Sequence, residues 1–193
     1  MSTWQAVLLG YHLASRLAYV IGVGTALRLQ QRRQHFTRRA GIEVGFRKFR
    51  RLAAFVMNND ALSFLILCLG TRGTLSSGLP PGVRWGLGIG GIIVGMGTKL
   101  WAARSLGAGA YHWRDTFDPA ATEAVADRGP YRWLRNPMYT VGYLHAYGIA
   151  LLADSGVGLL AAGFDQAAIL AFYYWVEKPH FARVTAGGNG GQV

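Results

Sequence analysis

Residues 129–142 bring arginines, aromatic rings and turn-forming residues together before an apolar run, in the order Gly-Pro-Tyr-Arg-Trp-Leu-Arg-Asn-Pro-Met-Tyr-Thr-Val-Gly. Pro137 fits the first turn of a helix and Asn136 fits the N-cap before it, so that free backbone N–H groups would point at a ligand. Such a helix start attracts anions, and Arg132 and Arg135 add positive charge. The aromatic rings would cover an adenine or a sulfonium cation. The segment therefore predicts a site for a small ligand with an anionic end; residues that only mark the membrane interface are the alternative.

Asp60 lies inside a different apolar run, far from this segment in the sequence. An ionised group at such a depth costs about 2.5–3.5 kcal/mol on insertion scales, so its carboxylate should face the interior of a bundle or a wet cavity. Arg16, Lys99 and His145 lie in other apolar runs and are its possible partners. Asp60 is therefore either part of a structural polar clamp or a carboxylate of a substrate site, and Asp165 raises the same question.

These residues must be positioned by helices that cross a membrane, because 51% of the chain is apolar and only 15% is charged. A crossing helix needs about 20 apolar residues. The predicted helices span about residues 4–27, 52–70, 83–103, 138–153 and 157–177. Three residues separate the last two helices, which should form a tight hairpin, and the fourth helix is short. The sequence predicts an all-α polytopic membrane helix bundle, with residues 1–193 forming a single domain.

The net charge is +11, and 14 of the 20 basic residues lie in two segments, residues 28–51 and 104–136. Basic residues between membrane helices mark the cytoplasmic side, so both segments should share it. This distribution favours a membrane protein over a nucleic-acid-binding one. Cys68 is the only cysteine, and no metal site is expected. Frequent Gly, Ala and Arg suggest a bacterial cytoplasmic membrane, while the oligomeric state is left open.

The third predicted helix is rich in glycine and contains two pairs with four-residue spacing, Gly86 with Gly90 and Gly91 with Gly95. Small residues at this spacing allow two helix backbones to approach closely in lipid. We expect the pairs to serve helix packing; the alternative is that they leave room for a flat ligand.

Several pieces of the sequence together resemble the signature of the isoprenylcysteine carboxyl methyltransferase and phospholipid methyltransferase superfamily. The pieces are Gly129-Pro130-Tyr131-Arg132, Arg135-Asn136-Pro137-Met138-Tyr139, Leu106-Gly107 with the following Trp113, and Glu177-Lys178-Pro179. The resemblance covers about residues 85–183, which would form the cofactor-binding core. It implies a membrane enzyme that binds S-adenosylmethionine near its last helices, while a lipid or other hydrophobic substrate enters from the bilayer.

The resemblance and the aromatic argument together name the candidate site residues. The cofactor would be bound by Gly107, Tyr131, Arg135, Asn136, Pro137, Tyr139 and Glu177. Tyr139, His112 and Asp60 are the catalytic candidates, since an amine acceptor must lose a proton. Tyr111, Glu177 and His145 are further possible proton acceptors.

Two departures from the family pattern bear on the function. Asn136 stands where many members have histidine, which favours an amine acceptor such as an amine-bearing phospholipid. Lys178 stands where the family has the second residue of a Glu-Glu pair, so Glu177 would act alone. Methylation of a prenylcysteine carboxyl, an isoprenoid or a small thiol is the alternative within the enzyme class. A non-catalytic transporter or assembly factor that keeps the fold is the alternative outside it.

Overall fold

The computed structural model of the chain describes residues 1–76, 78–118 and 128–180. Its main elements in these ranges are helices: α1 Thr3–Arg33, α2 Ile42–Gly70, α3 Pro81–Gly107, α4 Val141–Leu152 and α5 Gly156–His180. Four of them are long and apolar enough to cross a membrane, and α4 is a shorter apolar helix. This confirms the all-α helix bundle and the short fourth helix that the sequence predicts.

The helices form two packed groups. α1 packs against α2, α3 packs closely along α4, and α5 joins the two groups because it contacts α1, α2 and α4. The core between the helices is built from large apolar side chains that are less than 2% exposed. They include Leu27, Phe49, Leu67, Ile169 and Phe172. Many apolar side chains on the outer faces remain exposed, as expected for helices that are surrounded by lipid.

α2 begins at Ile42, so the prediction that the second helix starts at residue 52 was wrong. Phe46 and Phe49 are buried, whereas the basic residues between and after them are exposed. This amphipathic pattern lets a helix continue beyond the hydrocarbon core with one face against the protein. The predicted basic loop is therefore confined to residues 34–41, and the rest of it is helical.

α4 begins at Val141 with one 3-10 turn, and regular α-helix follows from Leu144. The preceding residues 136–140 form turns and not a helix. Thr140 interrupts any helix here, since its φ of −104° and ψ of −95° lie outside the helical region. Asn136 is therefore not a helix N-cap, and the predicted helix start at this residue was wrong. α4 covers only about 18 Å at 1.5 Å per residue, which is less than the hydrocarbon core of about 30 Å.

The turns before α4 leave backbone carbonyls that a helix would have satisfied. The Gln166 side chain of α5 donates from Nε2 to the carbonyl oxygens of Tyr139 and Thr140, at 3.1 and 3.4 Å. Tyr147 in turn donates its hydroxyl to Gln166 Oε1 at 2.8 Å. Irregular backbone at membrane depth is tolerated only where the protein satisfies it, and Gln166 does so here.

Glycines of α3 allow its close contact with α4. A Cβ on Gly91 would lie 3.0 Å from a backbone oxygen of α4, and one on Gly95 would overlap the α4 backbone. This confirms the packing role predicted for that pair. A Cβ on Gly86 or Gly90 would meet nothing within 4 Å, so the second predicted pair does not pack against a helix.

The two basic segments lie at the same end of the bundle. Phe117, in the connection after α3, packs its ring 6.1 Å from Phe36 and 4.9 Å from Phe49. At the opposite end, the tight turn between α4 and α5 packs against the connection between α2 and α3, where the backbone N–H of Gly156 donates to Thr74 Oγ1 at 3.0 Å. The predicted hairpin is confirmed, and so is the shared end of the two basic segments.

Candidate functional site

Glu177 is a buried carboxylate on α5, near the end of the bundle that holds the two basic segments, and 9% of its surface is exposed. Its Oε1 accepts hydrogen bonds from Trp113 Nε1 at 2.7 Å and from the Tyr139 hydroxyl at 2.9 Å. The helix widens into a π-helical turn at Tyr173–Glu177, a distortion that is frequent at functional sites. Among the described residues no donor contacts Oε2, so one oxygen is anchored and the other remains able to accept a hydrogen bond.

Trp113 reaches Glu177 because the chain after α3 bends sharply twice. Gly107 has φ 79° and ends the regular helix, and Trp113 has φ 56° in the left-handed region. A bulky residue there is strained, and such strain clusters at functional sites where the surroundings enforce it. The indole ring is held by Phe49 and Phe172, whose ring centroids lie 6.1 and 5.8 Å away. The packing thus aims the indole N–H at the carboxylate.

The predicted cofactor-binding residues differ in their exposure and in their contacts with Glu177. Tyr131 lies within electrostatic range of the carboxylate, and its pKa is raised by burial first and by Glu177 second. Pro137 is less than 2% exposed, and its carbonyl accepts from the backbone of Gly142 at 2.7 Å. Gly107 is exposed, with nothing within 4 Å of an added Cβ. The site therefore combines a fixed carboxylate with a protonated phenol.

Arg135 and Asn136 lie beside α5. Arg135 is exposed and acts electrostatically on Tyr173, and the Asn136 side chain lies next to the same ring. The Asn136 carbonyl accepts from the Thr140 backbone N–H at 3.0 Å and from its hydroxyl at 2.7 Å. Asn136 therefore organises the turn that carries Tyr139 to Glu177.

Lys178 points away from Glu177 although it follows it directly. Its ammonium lies 5.4 Å from the centroid of the Tyr174 ring, and the residue is exposed. The cation at the second family position thus does not neutralise the buried carboxylate. Trp133 is also directed outward, since it is 70% exposed and packs 5.8 Å from Trp101.

His112 and Tyr111 lie in the connection that also carries Trp113, and their rings pack edge to face at 4.9 Å. Burial raises the pKa of Tyr111, so its phenolate is not available as a base at neutral pH. His112 stays a candidate proton acceptor.

Asp60 lies in a second polar cluster, inside the bundle. Arg16 bridges two carboxylates, with Nη2 2.7 Å from Asp60 Oδ2 and Nε 2.8 Å from Asp165 Oδ1. His12 places Nε2 3.2 Å from Asp165 and Nδ1 2.9 Å from the Ser63 hydroxyl. Of the partners predicted for Asp60, the structure confirms the ion pair with Arg16.

The two clusters occupy different depths of the bundle. Asp165 and Glu177 are separated by twelve residues of α5, a rise of about 18 Å. Asp60 is therefore not brought beside Tyr139 and Glu177, although the sequence named it with Tyr139 as a catalytic candidate. The clusters are joined by aromatic contacts: the Tyr19 ring packs 6.4 Å from Phe172 and lies 5.5 Å from the Arg16 guanidinium.

Three contributions to the site were not predicted. Trp113 was recognised only as part of the resemblance and not as a donor to Glu177. His180 Nε2 lies 2.9 Å from Asp115 Oδ2, which closes the basic end of α5 onto the same connection. Tyr19, in a π-helical turn at Ala18–Val23, lies between the two clusters, where its ring contacts Phe172 and Arg16. An aromatic residue soon after the Leu-Gly segment is the only sequence signal for any of them.

Comparison with known proteins agrees with this geometry. Residues 83–185 match the phospholipid methyltransferase family. Similar curated proteins are fungal and are named phosphatidylethanolamine N-methyltransferase. The one from Arthroderma benhamiae is 32% identical over 137 residues, which is 70% of this chain and 14% of that protein. The one from Aspergillus clavatus is 35% identical over 135 residues, which is 68% of this chain and 14% of that protein.

The chain thus spans about one seventh of the length of these relatives. No solved structure matches it. Because these relatives are fungal, they give no support to the bacterial membrane suggested by composition. The family match covers more than half of the chain and includes α3, α4 and nearly all of the described site. The chain therefore belongs to the phospholipid methyltransferase family.

Proposed function

We propose that the chain transfers a methyl group from S-adenosylmethionine to the amine of a membrane phospholipid. The reaction takes place at the end of the bundle that holds Glu177 and faces the cytoplasm. The observation that carries the proposal is the buried Glu177 carboxylate, anchored through one oxygen and able to bind through the other. The printed names of the relatives, which specify phosphatidylethanolamine, support the choice of acceptor.

The residues of the site fit the cofactor. Glu177 Oε2 can accept hydrogen bonds from ribose hydroxyls or from the amino group, and charge-assisted bonds of this kind are strong. Tyr131 offers a protonated hydroxyl, and Gly107 leaves its backbone open to close approach. Arg135 supplies positive charge for the carboxylate end. The bound cofactor supplies a methyl group that is already activated on a sulfonium, so the chain has only to bind, orient and exclude water.

The acceptor nitrogen needs a lone pair before it can form a bond to the methyl carbon. An ammonium headgroup must therefore lose one proton, either to a base of the chain or to water, as the carbon–sulfur bond breaks. Tyr111 is unsuited to this role because of its raised pKa, and His112 is the candidate at this end of the bundle. Asn136 in place of histidine favours an amine acceptor over a carboxylate.

The proposal is tested in two steps with the full chain in detergent or lipid nanodiscs. Calorimetric titration with S-adenosylhomocysteine measures the cofactor site, and a saturable signal is expected. Radiolabelled S-adenosylmethionine then measures transfer to phosphatidylethanolamine, with a prenylcysteine and a small thiol as competing acceptors. Cofactor binding without transfer to any acceptor would favour a non-catalytic protein. Transfer only to the prenylcysteine or the thiol would keep the enzyme and replace the acceptor.

A further inference from the structure

Two oppositely charged side chains inside the bundle keep unused binding capacity. Asp60 is only 4% exposed, and its Oδ2 pairs with Arg16, but within the described residues nothing donates to its Oδ1. The Lys99 ammonium lies 3.4 Å from His145 Nε2 and 5.1 Å from the centroid of the Tyr143 ring. In the part of the chain that the structure describes, no carboxylate forms a salt bridge with Lys99.

The rest of this polar cluster is well satisfied, which makes the free Asp60 oxygen exceptional. Asp165 lies in the same cluster at 1% exposure, and both its oxygens lie 3.2 Å from His12 Nε2, with Arg16 added on Oδ1. Ser63 donates to the Asp60 backbone carbonyl at 2.8 Å and also contacts His12. A buried polar atom without a partner costs about 1–3 kcal/mol, so a ligand that supplies a donor would recover that free energy.

His145 cannot neutralise Lys99. Its Nδ1 lies 2.6 Å from the carbonyl oxygen of Gly142, and a carbonyl only accepts, so Nδ1 carries the hydrogen. The neutral ring then offers Nε2 as an acceptor to one N–H of the ammonium. The remaining two N–H groups and the positive charge of Lys99 stay available for an anionic group.

Asp60 and Lys99 lie at matching depths on two helices, α2 and α3, that are not packed closely against each other. Asp60 is eight residues beyond Leu52, where the apolar part of α2 begins, and Lys99 is eight residues before Gly107, where α3 ends. Both reference points lie at the end of the bundle that holds the basic segments, so each charge lies about 12 Å along its helix from that end. α3 packs along α4 and makes hardly any close backbone contact with α2. The two charges also act on each other electrostatically. They therefore lie within electrostatic range of each other, on two helices whose backbones are not closely packed together.

Lys99 is linked to the cofactor site along one segment of chain. The Tyr139 hydroxyl contacts Glu177, and four residues later the Tyr143 ring lies under the Lys99 ammonium. A ligand between Lys99 and Asp60 would therefore lie next to the segment that carries Tyr139. Asp60 also lies outside the residues that match the family, 83–185, so the match assigns it no role.

We propose that Asp60 and Lys99 bind the two charges of a zwitterionic phospholipid headgroup: the free carboxylate oxygen accepts from the ammonium, and the lysine binds the phosphate. This inference rests on the proposed function and names the residues that would select its acceptor. An anionic lipid without an amine would leave the Asp60 Oδ1 without a donor and beside a second negative charge. The headgroup would enter between α2 and α3, and the acyl chains would stay in the bilayer.

The test uses Lys99→Gln and Asp60→Asn in nanodiscs, with Lys99→Arg as the variant that restores the cation. We expect each of the first two changes to raise the half-saturating mole fraction of phosphatidylethanolamine by about tenfold or more, the loss of one charge-assisted hydrogen bond. Lys99→Arg should restore it, and affinity for S-adenosylhomocysteine should not change. Lys48→Gln removes the same charge from an exposed site on α2 and serves as the control.

Octadecylamine, an amine without a phosphate, separates the two contacts: Lys99→Gln should leave its binding unchanged, whereas Asp60→Asn should weaken it. Quenching of tryptophan fluorescence by brominated phosphatidylethanolamine measures lipid binding in each variant without requiring methyl transfer. A wild-type chain that binds this lipid but transfers no methyl group would therefore refute the proposed function and not this inference. If Asp60→Asn does not fold, the inference is tested by Lys99→Gln alone, from its binding of phosphatidylethanolamine compared with its binding of octadecylamine. Unchanged lipid binding overturns the inference. An equal loss of S-adenosylhomocysteine affinity does so as well, because the pair would then serve the amino-acid end of the cofactor.

Discussion

Glu177 is the residue on which cofactor binding should depend most directly. Glu177→Gln keeps the size of the side chain and removes its charge, so the bond from Oε2 to a ligand hydroxyl or amino group loses its charge assistance. We expect the dissociation constant of S-adenosylhomocysteine to rise about tenfold, for a loss of about 1.5 kcal/mol. Calorimetric titration measures it. Glu43→Gln, at a largely exposed carboxylate of α2, is the control. Unchanged affinity in a folded Glu177→Gln variant would show that another residue binds the cofactor.

Trp113 should act through Glu177 and not through the ligand. Trp113→Phe keeps an aromatic ring between Phe49 and Phe172 but removes the N–H that donates to Oε1. The carboxylate then keeps only the Tyr139 hydroxyl as an anchor, and we expect a loss of about 1.5 kcal/mol or less in cofactor binding. Trp175→Phe, at a tryptophan that is 70% exposed, should change nothing. If cofactor affinity survives Trp113→Phe and only the melting temperature falls, the indole has a purely structural role.

Single residues also show how far the sequence alone could lead. Glu177 could be predicted because it ends an apolar run where the family carries acidic residues. Arg16 could be predicted as a partner of Asp60, because a carboxylate within an apolar run requires a cation. The bond from Trp113 could not, since its partner is 64 residues away and a left-handed backbone aims the ring. No periodicity or local propensity encodes such a contact.

At the scale of helices, hydropathy locates the apolar cores better than the ends. The start of α2 was missed because residues 42–51 are too basic for a hydropathy criterion, although buried Phe46 and Phe49 make them amphipathic. The start of α4 was placed too early because Pro137 and Asn136 suit a helix N-terminus locally. Tertiary contacts override that preference, since Gln166 satisfies the carbonyls of the turns that replace the first helical residues.

The glycines of α3 allow a matched test of helix packing. Gly95→Ala would drive a Cβ into the backbone of His145, which cannot move aside as a side chain can, so we expect a loss of about 1–3 kcal/mol in stability. Gly86→Ala meets nothing within 4 Å and should be neutral or stabilising, because alanine favours helix by up to about 1 kcal/mol. Thermal unfolding in detergent measures both variants. Equal effects would mean that α3 and α4 do not pack as described.

At the scale of the whole molecule, the N-terminal helices complete what the family-matched part leaves open. Residues 83–185 include nearly all of α3 and all of α4 and α5, and they supply Glu177, Tyr139 and Lys99. α1 and α2 add the ion pair of Arg16 with Asp60, and Phe49, one of the two rings that hold Trp113. Both polar clusters therefore include contacts from outside the matched residues. The site is a property of the entire bundle.

The orientation of the bundle follows from the end at which its basic residues collect. Arginines resist translocation, so the end that carries Arg38 and Arg132 should face the cytoplasm, and the end that carries Arg72 should face outward. Cysteines introduced singly at these positions, with buried Cys68 replaced by alanine, can be labelled in intact cells with a membrane-impermeant maleimide. We expect labelling at position 72, and labelling at positions 38 and 132 only after the cells are opened.

The labelling pattern separates two kinds of error. Labelling of positions 38 and 132 from opposite sides would contradict the fold itself, because the Phe117 ring packs directly on Phe36 and Phe49 and ties the two segments to one end. Labelling of both from outside, with position 72 protected, would keep the fold and invert its orientation. The methyl donor would then have to reach Glu177 from outside the cell, where S-adenosylmethionine is not made. An inverted result would therefore also count against the proposed function.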